Sequence, residues 1–305
     1  MAPSNCSAEI PVRPEYQNSF CADAAYLTSP SFNATQNASE GVLENRHTFV
    51  LRARHLRAMP YLRALAFAFT LAGAFVFLVP LQALARRRGW PIQHVIQTRF
   101  CRAVCAVLGI KVDAHGALPS PAPRFVVANH VSWTDIIALA SLYPFVFLAK
   151  SDVASWPVLG LLARLQGTVF VERGSKQDVA RVNDALADVL RAGGDLVVFP
   201  EGTSSDGADV LPFRSAHFAP LEAMTAHGEA PTLAPVAIAY SDGARKIDVG
   251  WYGDMTFLPH LWSLMKRGDA QCHVAFGAPI ETTGKDRKTL ATETRACVQK
   301  LLTSL

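Results

Sequence analysis

The chain has 305 residues, of which 50% are hydrophobic, with a net charge of only +4 and a mean hydropathy of +0.18. That balance is high for a purely soluble enzyme and points to a membrane connection, while the weak, dispersed charge argues against a nucleic-acid binder. The six cysteines contain no C-x-x-C pair, so neither a zinc site nor a disulfide framework is expected, and they read as reduced thiols facing the cytosol.

Residues 1–58 are expected to be a disordered or dispensable extension. The first 45 are rich in Ser, Asn, Ala and Pro, carry Arg13 as their single basic residue, and have neither helical nor strand periodicity nor a signal-peptide pattern. Residues 59–108 are expected to be a membrane-associated helical segment. Ala64 to Ala85 are 22 residues without a formal charge, long enough to cross the hydrocarbon core. Within 20 positions on either side lie five basic residues before (Arg46, Arg52, Arg54, Arg57, Arg63) and five after (Arg86, Arg87, Arg88, Arg99, Arg102). That tie leaves two arrangements open. One is a single span. The other is a monotopic helix, broken at Gly73 or Pro80, with both ends at the cytoplasmic face. Cys101 and Cys105, four apart, share one helical face and read as small apolar packing groups.

From residue 109 to 305 short β-rich runs alternate with helical ones, the pattern of an α/β domain with a central, mostly parallel sheet flanked by helices. Strands are expected at Arg124–Ala128, Val146–Ala149, Thr168–Val171, Asp195–Phe199, Leu233–Ala239, Ile247–Trp251 and Cys272–Phe276. After the first comes Asn129-His130-Val131-Ser132-Trp133-Thr134-Asp135. An imidazole backed by a carboxylate is the usual apparatus for removing a proton from an alcohol near neutral pH. Positions i and i+5 of one helix diverge by about 140°, so His130 should precede a helix whose first turn holds Asp135. Ser132 and Asp135 also fit a capping box, and both readings can hold together.

Between Gln177 and Ala192, Val179, Val182, Leu186, Val189 and Leu190 recur at helical spacing, and Gly193-Gly194 ends the helix. This helix is expected to be a right-handed crossover between neighbouring parallel strands. It would bring Thr168-Val-Phe-Val-Glu172-Arg173-Gly174 and Phe199-Pro-Glu201-Gly202-Thr203-Ser204-Ser205 to the carboxyl edge of the sheet, where open α/β sheets bind ligands. Gly202 lets the backbone approach a ligand closely, and the hydroxyls beside it can bind oxygens. Singly, each of these segments also reads as ordinary turn chemistry.

Taken in order, Asn-His-x-x-x-x-Asp, Val-Phe-Val-Glu-Arg, Phe-Pro-Glu-Gly-Thr and Leu233-Ala-Pro235-Val236 resemble the four blocks of the 1-acylglycerol-3-phosphate acyltransferase (PlsC-like) family, over roughly residues 100 to 280. The resemblance implies a membrane-bound enzyme that moves a fatty acyl group from a thioester of acyl carrier protein or coenzyme A to the free hydroxyl of a lysolipid. It implies no cofactor beyond that co-substrate, no metal and no nucleic acid, and a catalytic domain on the cytoplasmic face of the inner membrane. His130 would be the general base and Asp135 its orienting partner. Glu172, Arg173, Glu201, Gly202, Thr203 and Ser204 would hold the acceptor's head group, and Pro235 and Val236 an acyl or acceptor pocket.

Phosphate-binding members usually follow Phe-Pro-Glu-Gly-Thr with Arg, where this chain has Ser204. The run Phe199 to Ala219 looks more like the lyso-ornithine lipid acyltransferases, whose acceptor carries a carboxylate and an amine. Arg173 or Arg214 would pair the carboxylate, and Asp206 or Asp209 the amine. A lysophosphatidic acid acceptor, and a non-catalytic lipid-binding role, stay open as alternatives. A basic patch at Lys150, Arg164, Lys176 and Arg181 can receive an acidic carrier protein or be a solvated face.

Overall fold

A computed structural model describes residues 60–171 and 176–305. The expected extension therefore lies outside the described residues, as do Glu172, Arg173 and the side chain of Lys176.

The apolar run forms a continuous helix, Pro60–Arg88, made of α1 (Pro60–Gly73), a π-helical turn (Ala74–Leu78) and α2 (Val79–Arg88). Neither Gly73 nor Pro80 breaks it, so the break that one of the two arrangements left open is not seen. A proline inside a helix collides with the carbonyl four residues earlier, here Val76. That residue sits in the π turn, whose wider winding absorbs the clash. At Gly89 (φ 64°) the chain turns left-handed and enters α3 (Ile92–Leu108).

The remaining elements are β1 (Ile110–His115), β2 (Arg124–Ala128), α4 (Thr134–Leu142), β3 (Val146–Lys150), α5 (Ser151–Ala154), α6 (Leu159–Gln166), β4 (Val169–Val171), α7 (Lys176–Arg191), β5 (Leu196–Val198), α8 (Ala219–Ala226), β6 (Thr232–Ser241), α9 (Phe257–Arg267), β7 (Ala270–Phe276) and α10 (Arg287–Thr303). The strands form one sheet in the order β1-β7-β6-β2-β5-β3-β4. Every neighbouring pair is parallel except β6 with β7. The expected fold class, a mostly parallel sheet flanked by helices, is the one observed.

Alternation along β2 builds both layers of the core. Val126 and Ala128 face a layer containing Cys101, Leu108 and Leu139 from α3 and α4 and Leu264 from α9. Phe125 and Val127 face Leu186, Leu190, Leu221 and Leu290 from α7, α8 and α10. Buried on both faces, the central strands are apolar throughout, as parallel strands require.

One expected strand, one strand not expected and one crossover need correction. Ile247–Trp251 is not a strand: beside the isolated bridge between Ser241 and Lys246, Ile247 N–H donates to the Tyr240 carbonyl and Trp251 N–H to the Val131 carbonyl, each at 3.0 Å, and between them Asp248 and Gly250 form a side-chain turn in which Gly250 N–H donates to Asp248 at 2.8 Å. Ile110–His115 is a strand that its mixed burial concealed. The helix α7 does link two parallel strands, β4 and β5, but β3 lies between them, so the crossover skips one strand. Both carboxyl ends still emerge at the same edge.

Two arginines fasten the long apolar helix to this domain. Near its start, the Arg63 guanidinium donates to the carbonyls of Met265 (3.2 Å) and Gly268 (2.7 Å), at the carboxyl end of α9. Near its end, Gln82 and Arg86 both donate to the Leu165 carbonyl at 3.3 Å, at the carboxyl end of α6. Each cation meets the negative end of a helix dipole and satisfies carbonyls that the helix itself cannot. Along this helix the outward face is bare: Tyr61, Leu65, Phe69, Val76 and Phe77 are all more than half exposed.

Candidate active site

The turn after β2 is held rigidly by Asn129, which is buried. Its amide donates to the Ile238 carbonyl (2.9 Å) and accepts from the Ile238 N–H (2.8 Å), so it continues the β2–β6 ladder with a side chain. His130 follows at the carboxyl end of β2, outside the helix, and Asp135 lies in the first turn of α4. His130 Nδ1 and Asp135 Oδ2 are 2.9 Å apart.

Asp135 is fully buried and its carboxylate accepts from four groups. These are His130 Nδ1, the backbone N–H groups of Val131 (2.7 Å) and Ser132 (2.9 Å), and the Tyr240 hydroxyl (2.7 Å). Burial, then the charge of Asp135, pushes the Tyr240 phenol well above its ordinary value, so it stays a donor. With Nδ1–H directed at a carboxylate, the other ring nitrogen, Nε2, is the one left as a base. The imidazole stacks on Phe199, with centroids 4.2 Å apart, which fixes the plane of the ring. The capping box is half formed. Asp135 takes the Ser132 N–H, but α4 starts at Thr134 and the Ser132 hydroxyl reaches only the Thr134 N–H, at 3.4 Å.

The loop after β5 is tied to the same turn, since Ser205 N–H donates to the His130 carbonyl at 2.9 Å. Gly202 is left-handed (φ 70°), and a Cβ there would lie 2.8 Å from Cζ of Arg214. Only glycine lets the guanidinium rest against the backbone at this point. Glu201 is buried beneath the loop. Burial pushes its carboxyl up to about 8, against the lowering effect of the His130 backbone N–H and with the charge of Asp135 adding to the rise.

An apolar cleft of about 520 Å³ opens onto His130, within the range of small-molecule sites. His130, Gly202, Thr203, Ser204, His217 and Lys150 stand along it, and Ala74, Leu78, Val79, Ile96, Phe100, Cys101, Trp133 and Ile137 supply apolar wall. The π turn and α2 thus line the cleft directly. Trp133 is oriented by His260, whose Nδ1 accepts from the indole at 3.0 Å.

Of the residues expected in the site, His130, Gly202, Thr203 and Ser204 meet at the cleft, with Asp135 buried behind His130. The Ser204 hydroxyl donates to the Trp251 carbonyl, so its hydrogen is already engaged. Glu201 lies under the loop and does not line the cleft. Pro235 and Val236 do not line it either: they are buried in β6, in register with Val127 and Ala128, because β6 is covered on both faces. Glu172 and Arg173 lie outside the described residues. Tyr240, the stacking role of Phe199 and the wall from the π turn to α3 were not read from the sequence, Tyr240 being 105 positions from Asp135.

The Acyltransferase family profile matches residues 109–239. The lyso-ornithine lipid O-acyltransferase of Brucella abortus (strain 2308) is 37% identical over 239 residues, 74% of this chain and 89% of that protein. The chain belongs to the acyltransferase family. This acyltransferase is also 35% identical to the 1-acyl-sn-glycerol-3-phosphate acyltransferase of Neisseria meningitidis serogroup B, over 57% of its own length and 68% of the relative's. The crystal structure of the 1-acyl-sn-glycerophosphate acyltransferase PlsC from Thermotoga maritima superposes with a TM-score of 0.61, at 18% identity, over 82% of the acyltransferase and 97% of that chain. That likeness establishes the fold. The resemblance drawn from the four sequence blocks is therefore borne out, and the enzyme is an acyltransferase.

Proposed function

We propose that this acyltransferase moves a fatty acyl group from an acyl thioester to the free hydroxyl of a lysolipid, with lyso-ornithine lipid as the favoured acceptor. The observation that carries the reading is the 2.9 Å contact between His130 Nδ1 and the buried Asp135 carboxylate at the mouth of an apolar cleft. The lysolipid hydroxyl gives its proton to His130 Nε2 as its oxygen attacks the thioester carbonyl. Asp135 holds the ring in the correct tautomer and stabilises the imidazolium. Collapse of the tetrahedral intermediate expels the thiolate of acyl carrier protein or coenzyme A, which takes the proton back. The transfer is direct. Cys101, the thiol in the cleft wall, is pushed by burial up to about 12, and a thiol so protonated is a poor nucleophile.

The acceptor assignment rests on the relatives' names and on Ser204. With its hydroxyl directed at Trp251, that position lacks the forked cation that pairs a phosphomonoester. Arg214, whose guanidinium lies beside Gly202, is the described arginine we assign to pair a carboxylate instead. Asp206 is assigned the amine: the Tyr252 phenol in the cleft wall is raised mainly by Asp248, then by burial, with the charge of Asp206 adding to the rise. The bare face of the helix Pro60–Arg88, both of whose ends are pinned to one domain, supports a monotopic anchor at residues 59–108. The α/β domain from 109 to 305 would then sit on the cytoplasmic face of the inner membrane.

Purified enzyme given one acyl thioester should acylate lyso-ornithine lipid faster than lysophosphatidic acid. The reverse order overturns the acceptor. His130→Ala should lower kcat by about 10²- to 10⁴-fold on either, and retention of more than about a tenth of the rate overturns the base.

A further inference from the structure

On the face of the sheet turned away from Asp135, β1 and β7 bring together three side chains that the acyl-transfer reading leaves unused. Cys272 and Tyr240 face the layer that holds Asp135, so alternation sends His273 to the opposite face. Asp113 is its register partner on β1, and His115, two residues further, shares that side. None of the three lines the cleft.

We propose that Asp113, His115 and His273 form a binding site for a divalent transition-metal ion of the zinc type. Their ligand atoms are already spaced for one. His115 Nε2 lies 3.3 Å from His273 Nδ1 and 3.5 Å from Asp113 Oδ2, and His273 Nδ1 lies 3.8 Å from Asp113 Oδ2. Bonds of about 2.0 to 2.1 Å in a tetrahedron put neighbouring ligand atoms about 3.3 to 3.4 Å apart, so the triangle closes on an ion with small adjustments of one carboxylate. Two imidazoles and one carboxylate also suit zinc better than magnesium or calcium, which prefer oxygen.

The orientation of His273 is the second observation. Its Nε2 is 2.8 Å from the Ser241 hydroxyl on β6. With Nε2–H donated there, the Nδ1 lone pair points at the other two ligands, the outer-shell arrangement that metal-bound histidines generally have. Exposure falls from Asp113 (61%) through His115 (38%) to His273 (18%), so the fourth position faces solvent and would carry water. The ion would fasten the edge strand β1, whose sheet partner among the described residues is β7. A clamp of this kind holds a strand without entering the reaction.

The full-length protein, purified without a histidine tag, should bind one equivalent of cobalt(II) with the intense visible absorption of a four-coordinate site, and zinc should bleach it. His115→Gln and His273→Gln should each abolish that absorption, while His227→Gln, at an exposed position, should keep it. Zinc should raise the melting temperature of wild type by several degrees and leave that of His115→Gln unmoved. Absence of the cobalt bands, or their persistence in both variants, overturns the site and reduces the cluster to a hydrogen-bonded histidine pair beside a carboxylate. Because His115 is partly exposed, its variant tests the proposal even if His273→Gln folds poorly.

Discussion

At the scale of single residues the loop after β5 sets Glu201 apart. It lies beneath the loop that carries Gly202 and Thr203, and burial lifts its carboxyl from 4.5 to about 8. At neutral pH it therefore keeps its proton in the folded state and loses it in the unfolded chain, so folding takes up a proton. Stability should fall as pH rises from about 4.5 to about 8 and level off above. Glu201→Gln lacks this linkage, so its melting temperature relative to wild type should climb through that interval. A difference that stays constant with pH would mean the carboxyl is charged when folded. His130 and Asp135 were legible as a pair because five residues separate them in the chain. The sequence held no hint that Tyr240 and two backbone N–H groups complete the shell around Asp135, since the partner strand arrives more than a hundred positions later. Pro235 and Val236, given a pocket role by the resemblance alone, lie in the buried strand β6 away from the cleft wall, and a four-residue block carries no mark of which layer its strand is packed into.

At the scale of elements, the join between α1 and α9 is the most exposed to a single change. Gly268 ends α9 in the left-handed region (φ 70°), and a Cβ there would fall 1.3 Å from Nη1 of Arg63. Gly268→Ala should therefore displace the guanidinium as well as strain the backbone, whereas Arg63→Ala should only leave the Met265 and Gly268 carbonyls without this donor, at a cost of about 1–3 kcal/mol. Both variants should increase protease sensitivity near residue 60, Gly268→Ala the more, as checked by limited proteolysis in detergent. Equal resistance to wild type would show that the pin contributes nothing. Helices and most strands were readable because their apolar spacing is local. The register that separates β4 from β5 by a whole strand was not, because it is decided by which strand β3 prefers to pair with. The three metal-site side chains were invisible for the same reason, His273 being 158 positions from His115.

At the scale of the whole molecule, a 29-residue helix extends about 43 Å at 1.5 Å per residue, and Arg63 and Arg86 hold its two ends to one α/β domain. A bilayer crossing would have to carry α9 or α6 into hydrocarbon with it. The helix should instead lie along the interface. With Tyr61→Cys and Leu84→Cys, a membrane-impermeant maleimide should label both positions in inside-out vesicles and neither in right-side-out ones. Labelling of the two from opposite sides would establish a span.

The π turn and α2 would do more than attach the enzyme in the proposed monotopic arrangement, because Ala74, Leu78 and Val79 are cleft wall. On the proposed reading, anchor and reaction chamber are built from one piece of chain. A version shortened to begin at α3 in the hope of a soluble, easily handled catalyst would shed its lipid affinity and, in the same cut, open its chamber to water. Solubility and turnover cannot be separated by trimming this protein.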